Sequence, residues 1–222
     1  MNFEENAVEL VNVSYRPMAD TRLFDDLSFS LPAGKTAVVE GATGSGKTAF
    51  IELLIGRKKP SAGDILVLNH RVHDTPEWSL KKMRRNIGGV GGVYDLIENR
   101  TVFENVSFPL IIAGRKSSAI RSAVKAVLDR FDLAGREKEK AGRLCRGDKV
   151  LVMLARAVVA DQSLLLIDEP LAGLDTAAAD RLNGHLRDLT DQSGKSIIIT
   201  TALSAPDLPT AAAYTIREGK LK

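Results

Sequence analysis

Eight residues, Gly41-Ala42-Thr43-Gly44-Ser45-Gly46-Lys47-Thr48, narrow what this chain can fold into more than any other feature. They satisfy G-x-x-x-x-G-K-[ST], a loop that cradles phosphate only when a strand feeds it and a helix leaves it. Both flanks are present. Thr36-Ala37-Val38-Val39-Glu40 reads as a buried strand, and Thr48–Ile55 reads as a helix with Gly56 where such helices stop. The glycines let the backbone curl so that several N–H groups point inward, and the helix N-terminus adds partial positive charge. Lys47 then sets an ammonium against the β- and γ-phosphates, and the Thr48 hydroxyl ligates Mg²⁺. From average composition, a chance match in a chain of this length arises about one time in a hundred.

A second feature agrees with the first. Leu164-Leu165-Leu166-Ile167 is an all-apolar strand that ends in Asp168-Glu169-Pro170. Ile197-Ile198-Ile199 is another such strand, and a helix from about Thr176 to Leu189 lies between them. Continuous apolar strands alternating with helices imply a parallel sheet covered on both faces. Ligands of such sheets bind beyond the carboxyl ends of the strands, where the Gly-rich loop also opens. Asp168 is therefore placed to hold Mg²⁺, and Glu169 to take a proton from a water attacking the γ-phosphate. Guanine-reading proteins carry N-K-x-D, and no such run exists here, so the nucleotide expected is ATP.

Composition excludes several alternatives. A hydrophobic fraction of 44% is too high for a disordered chain. The 31 basic and 28 acidic residues leave a net charge of +3, which compels neither a nucleic-acid nor a membrane partner. Eleven Lys and Arg lie between Arg115 and Lys149 in a mainly helical stretch. Without interleaved aromatics they read as the solvated faces of helices, and no nucleic acid is expected. The single cysteine, Cys145, excludes an intrachain disulfide and fits a reducing compartment; it reads as a semi-buried thiol. The start, MNFEENAVEL, lacks the apolar core of a secretory signal, and no stretch reaches the roughly 18 apolar residues of a membrane span. His70, His73 and His185 read as surface histidines, and Trp78 as packing or an exposed loop residue.

Gly41–Thr48, Leu164–Pro170 and the following Leu171-Ala172-Gly173-Leu174-Asp175 together resemble the ATP-binding subunits of ABC transporters. Tyr15 falls where that family stacks an aromatic on adenine. Ala155-Arg156-Ala157 falls in the helix after the family's signature. Arg100–Val106 followed by Pro109–Gly114 looks most like the cell-division branch, with lipoprotein-release and macrolide-export subunits next. The resemblance implies an α/β P-loop NTPase fold of the ABC type in a single domain, residues 1–222. Its parts would be a mainly parallel sheet, a small antiparallel β subdomain and an α-helical subdomain inserted at about 93–160. It also implies a head-to-tail homodimer that sandwiches ATP, and an integral membrane partner, FtsX-like or an exporter permease. Location would be cytoplasmic, on the inner face of the membrane.

Several family positions depart from the pattern. The signature, Leu-Ser-Gly-Gly-Gln/Glu in the family, reads Leu144-Cys145-Arg146-Gly147-Asp148. A thiol donates poorly to phosphate where a serine hydroxyl donates well. Arg146 either obstructs the nucleotide or lends it a cation. The glutamine that senses Mg²⁺ falls at Gly92, inside a run expected to act as a loose hinge, Gly88-Gly89-Val90-Gly91-Gly92. The histidine that grips the γ-phosphate falls at Ala202. Loss of one transition-state donor costs about 2.7–4 kcal/mol, a factor of 10²–10³ in rate. The expectation is tight Mg-ATP binding with slow or partner-dependent turnover, or an ATP-gated scaffold that hydrolyses little.

Overall fold

The computed structural model describes residues 5–18, 21–192, 194–202 and 208–222. The chain opens with strands β1 (Asn6–Tyr15), β2 (Phe24–Pro32) and β3 (Thr36–Glu40), then helix α1 (Lys47–Leu54). Strands β4 (Ala62–Val67) and β5 (His70–Arg71), helix α2 (Glu77–Arg84) and strand β6 (Ile87–Val90) follow. Next come helices α3 (Val102–Ile112), α4 (Ser117–Arg130) and α5 (Arg146–Val158), then strand β7 (Leu164–Asp168). Helix α6 (Thr176–Gln192) leads to β8 (Ser196–Thr201), β9 (Ala212–Arg217) and β10 (Lys220–Leu221).

Two sheets result. One is antiparallel, in the order β2-β1-β4-β5; the other runs β10-β9-β3-β8-β7-β6, with only β10 antiparallel to its neighbour. In β2 the period-two pattern holds: Leu27, Phe29 and Leu31 are buried, whereas Ser28 and Ser30 are exposed. In β7 all five residues are buried, as a strand covered on both faces requires. Leu165 and Ile167 join the larger core with α3–α6, and Leu164 and Leu166 join a second core with α1, α2 and the antiparallel sheet. Phe24 and Phe50 are fully buried in the second core, each stabilising it by roughly 1.5–3 kcal/mol relative to exposure.

The expected hinge is not a loose loop. Gly88 and Gly89 lie in β6, which pairs with β7 and is buried along its length. A Cβ on Gly88 would stand 2.1 Å from the Ala157 carbonyl oxygen, and one on Gly89 would enter the Tyr94 ring. The glycines are there to admit α5 and Tyr94 to the strand. Ala62 and Gly63 already belong to β4. That strand stops at Val67, and Leu68 and Asn69, at φ 48° and 63°, make the tight turn to β5. Trp78 is on α2 and 73% exposed, and Cys145 is exposed rather than semi-buried. No described helix is long and apolar enough to cross a membrane.

One polar node joins α5 to its surroundings. Asp148 accepts hydrogen bonds from Arg136 Nη1 at 2.5 Å, Arg181 Nη1 at 3.2 Å and Cys145 Sγ at 3.0 Å. Burial alone would raise the Asp148 carboxyl. The hydrogen bonds from Cys145 and Arg136 and the charges of Arg136 and Arg181 outweigh it and hold the group below its ordinary range. A depressed folded-state pKa stabilises above the unfolded value, about 3.9, and that contribution is lost as pH falls through the folded value. Asp148→Ala, which leaves two guanidinium groups facing each other, should lower stability at pH 7 by about 1–3 kcal/mol. It should also flatten the acid limb below about pH 4, both read by urea unfolding.

Candidate nucleotide-binding site

Strand β3 delivers the chain to Gly41, whose N–H donates to the Thr201 carbonyl at 3.1 Å, so the loop starts from the sheet itself. Gly44 and Gly46 take φ of 84° and 104°, a region closed to most side chains. Gly46 caps α1, and Phe24 fills the space beside it: a Cβ there would lie 2.9 Å from the Phe24 ring. Lys47, only 5% exposed, turns its ammonium back into the loop, donating to Gly41 O at 2.6 Å and Ala42 O at 2.9 Å. Its third contact is Glu169 Oε1 at 3.1 Å. An ammonium has three donors, and all three are engaged within the chain.

The two acids behave differently. Asp168 is 6% exposed and accepts from Thr48 Oγ1 at 2.9 Å and Thr200 Oγ1 at 2.5 Å, one to each oxygen. Glu169 follows at φ 51°, a left-handed conformation that costs a non-glycine residue roughly 1 kcal/mol or more. Its N–H donates to the Thr200 carbonyl at 3.0 Å, and its carboxylate bridges Lys47 and the Ala202 N–H, the latter at 2.9 Å. Residues some 120 positions apart in sequence thus meet at the carboxyl ends of β3, β7 and β8.

This arrangement fits a magnesium nucleotide. Ser45 Oγ is buried with no hydrogen-bond partner, inside the loop and beside Gly41, a polar atom left for a ligand to satisfy. Among the described residues no group of three His, Cys, Asp or Glu side chains is arranged to hold a metal. A Mg²⁺ ion here would draw Thr48 and Asp168 from the chain and the rest of its octahedron from phosphate oxygens and water, its usual preference.

The remaining sequence candidates are placed as follows. Tyr15 ends β1 and is 8% exposed; its ring tilts at 41° to Phe24, and the Lys58 ammonium lies 5.5 Å from its centroid. Cys145 caps α5. Arg146 folds onto its own chain, its Nε donating to Ala172 O at 2.5 Å, and Gly147 faces Ala178 at the start of α6. Asp175 caps α6, its Oδ1 accepting from the Ala178 N–H at 2.8 Å. Among the described residues no hydrogen bond or ion pair joins Cys145, Arg146, Gly147, Asp148 or Asp175 to the Lys47–Asp168–Glu169 cluster.

Gly92 does meet the cluster. At φ 55°, it passes so close to Asp168 that a Cβ would stand 2.6 Å from Oδ2. Gly92→Gln, which supplies the side chain the family carries, should therefore not repair the site. We expect it to lower stability by about 1–3 kcal/mol in urea unfolding and to weaken Mg-ATP binding in calorimetry.

Two contributors escaped the sequence reading, and a third, Arg156, was read only by its place in the helix after the signature. Thr200 carried no motif signal, because a threonine at a strand end has many uses. Met153 Sδ accepts from the Gly91 N–H at 3.4 Å and steadies the approach to Asp168. Arg156 donates to the carbonyls of Tyr94 and Asp95, tying the segment after β6 to α5. Burial holds the Arg156 guanidinium below its usual range, and the charges of Asp95 and Tyr94 oppose that.

A model of the ABC transporter family matches residues 24–172. The lipoprotein-releasing system ATP-binding protein LolD of Treponema denticola is 31% identical over 201 residues, covering 90% of this chain and 89% of that protein. The cell division ATP-binding protein FtsE of Escherichia coli K12 is 33% identical over 173 residues, 78% of each chain. A solved ATP-binding cassette, dimeric in a post-hydrolysis state with ADP and Pi, superposes with a TM-score of 0.83 at 25% identity, covering 97% of this chain and 96% of that one. The chain belongs to the ABC transporter ATPase family, whose fold is the α/β architecture described above.

Proposed function

We propose that this chain is the ATP-binding subunit of an ABC-type membrane complex, coupling ATP binding and slow hydrolysis to movement of a membrane partner. One observation carries the reading: Lys47, Thr48, Asp168 and Glu169 converge at the carboxyl ends of the parallel strands. Lys47 would exchange its two carbonyl contacts for the β- and γ-phosphates, and main-chain N–H groups of Gly41–Gly46 would complete the cradle. Thr48 and Asp168 would hold Mg²⁺, which neutralises charge developing on the phosphates. Glu169, freed from Lys47, would accept the proton of the attacking water. Tyr15 would stack on adenine once the Lys58 ammonium withdraws from its ring.

The LolD and FtsE relatives, at nearly equal identity, support a permease-type partner, and the resemblance of Arg100–Val106 and Pro109–Gly114 to the cell-division branch favours an FtsE-like role with an FtsX-like protein. The dimeric relative supports a homodimer; in our reading it is head-to-tail, and the α5 N-terminus, with Cys145–Asp148, would close over the opposite chain's nucleotide. The subunit would then lie on the cytoplasmic face of the membrane through its partner.

A second reading, an ATP-gated scaffold, is favoured by the absence of side-chain donors at Gly92 and Ala202 and by the attachment of Glu169 to Lys47. Turnover and assembly test both. The wild-type chain alone should hydrolyse Mg-ATP below about one per second, given 10²–10³-fold per missing donor. Glu169→Gln with Mg-ATP should sediment as a dimer of the 24.0 kDa chain. Turnover of tens per second without a partner would contradict the slow-coupling reading.

A further inference from the structure

Among the described residues three charged side chains are buried, and two of them have an opposite charge beside them. Lys47 meets Glu169, and Asp148 meets Arg136 and Arg181. Asp168 is in no ion pair among the described residues. Its two oxygens meet hydroxyls only, Thr200 Oγ1 at Oδ1 and Thr48 Oγ1 at Oδ2. Buried carboxylates are normally paired with a cation or bound to a metal, and here the metal is the choice left.

The two oxygens are not equivalent. Asp168 and Thr200 are register partners on β7 and β8, Thr200 is fully buried, and its hydroxyl occupies Oδ1 at 2.5 Å. The sheet does not ask for that hydroxyl: Ile197, Ile198 and Ile199 before it in β8 are buried without one. Oδ2 faces Thr48 and the bare backbone of Gly92, where a Cβ would stand 2.6 Å away. Residue 92 brings no side-chain oxygen, so the set of one carboxylate decides how the chain meets a cation. Thr200 is itself firmly mounted. Its carbonyl accepts from the Glu169 N–H at 3.0 Å, and the neighbouring Thr201 carbonyl accepts from the Gly41 N–H at 3.1 Å, which ties this strand end to the second acid and to the phosphate loop.

We infer that Thr200 is a positioning residue that selects the cation: by keeping Oδ1 engaged, it limits Asp168 to one oxygen at the ion site. The inference rests on the nucleotide-binding role proposed above. A single carboxylate oxygen suits Mg²⁺, which demands an octahedron, takes few carboxylates and keeps several waters. Ca²⁺ takes more oxygens in a looser shell and readily accepts a carboxylate through both of its own. With the Thr200 hydroxyl in place, that second mode is closed.

The test is titration calorimetry of ATP into the full chain with Mg²⁺, with Ca²⁺ and with excess EDTA. Thr200→Val should cut the gain in affinity that Mg²⁺ brings over EDTA by about 10–100-fold, the usual effect of losing a partner of a metal-binding side chain. The preference for Mg²⁺ over Ca²⁺ should fall with it, because Oδ1 is then free to join the ion. Binding in EDTA should stay at the wild-type value, since the phosphate loop is untouched. Thr200→Ser, which keeps the hydroxyl, should restore both the gain and the preference. Urea unfolding checks that each variant is folded; if the valine variant does not fold, Thr200→Cys, whose thiol is a weak donor, carries the same comparison. The inference alone is overturned if the wild-type chain binds Mg-ATP and the variant lacking the hydroxyl keeps its magnesium gain or its preference for Mg²⁺. It is equally overturned if affinity falls by the same factor in all three solutions, or if serine fails to restore it. A wild-type chain that takes up no ATP would overturn the nucleotide-binding role itself, and the inference with it.

Discussion

Lys47→Ala should bind Mg-ATP at least about a hundredfold more weakly than the wild-type chain in titration calorimetry, while remaining folded. The loss follows from two charge-assisted contacts to phosphate, each contributing about 1.5–3 kcal/mol. Stability should change little. The Gly41 and Ala42 carbonyls that lose their donor lie at an accessible loop, and Glu169 keeps the Ala202 N–H. Arginine should not substitute well, because the buried stem of Lys47 points a compact charge into the loop where a planar fork has no room to turn. If Lys47→Ala bound Mg-ATP as the parent does, phosphate recognition by this loop would be refuted.

Glu169→Gln separates binding from chemistry. Removing a positioned base costs typically 10²–10⁴ in rate, so single-turnover hydrolysis should fall by about that factor. Affinity should hold or rise. The carboxylate lies 3.1 Å from the Lys47 ammonium, where it competes with phosphate as an anion, and an amide competes less. The backbone should tolerate the change, since the left-handed conformation at 169 is held by the N–H bond to Thr200 O rather than by the side chain. An unchanged single-turnover rate would remove Glu169 from the proton-transfer role and favour the scaffold reading. Because Lys47→Ala acts on uptake and Glu169→Gln on the step after it, the pair locates a defect unambiguously.

The parts of this site readable in the sequence were those in which local chemistry and local geometry coincide. Gly44, Gly46, Lys47 and Thr48 act within one loop, and Asp168 and Glu169 follow an apolar run whose burial is written in its composition. The parts that stayed hidden depend on two distant segments meeting. Thr200 becomes a partner of Asp168 only because β8 lies beside β7, and the sequence does not state strand order. Gly88 and Gly89 look like a flexible linker until α5 and Tyr94 are seen occupying the space where their side chains would be. Arg146 posed two outcomes in sequence, and in the structure its guanidinium is turned to the Ala172 carbonyl of its own chain. The capping role of Asp175 could have been read from spacing, because an aspartate just before a helical run is a favoured cap.

Strand β7 is a party wall between two rooms. Its odd-numbered side chains, Leu165 and Ile167, furnish the core shared with α3–α6, and its even-numbered ones, Leu164 and Leu166, furnish the core shared with α1 and the antiparallel sheet. Asp168 is the last residue of that same wall. A pull on its carboxylate along the strand axis would load both rooms at once, so even a displacement of a few tenths of an ångström at the ion site would be felt in each half of the molecule without any hinge between them.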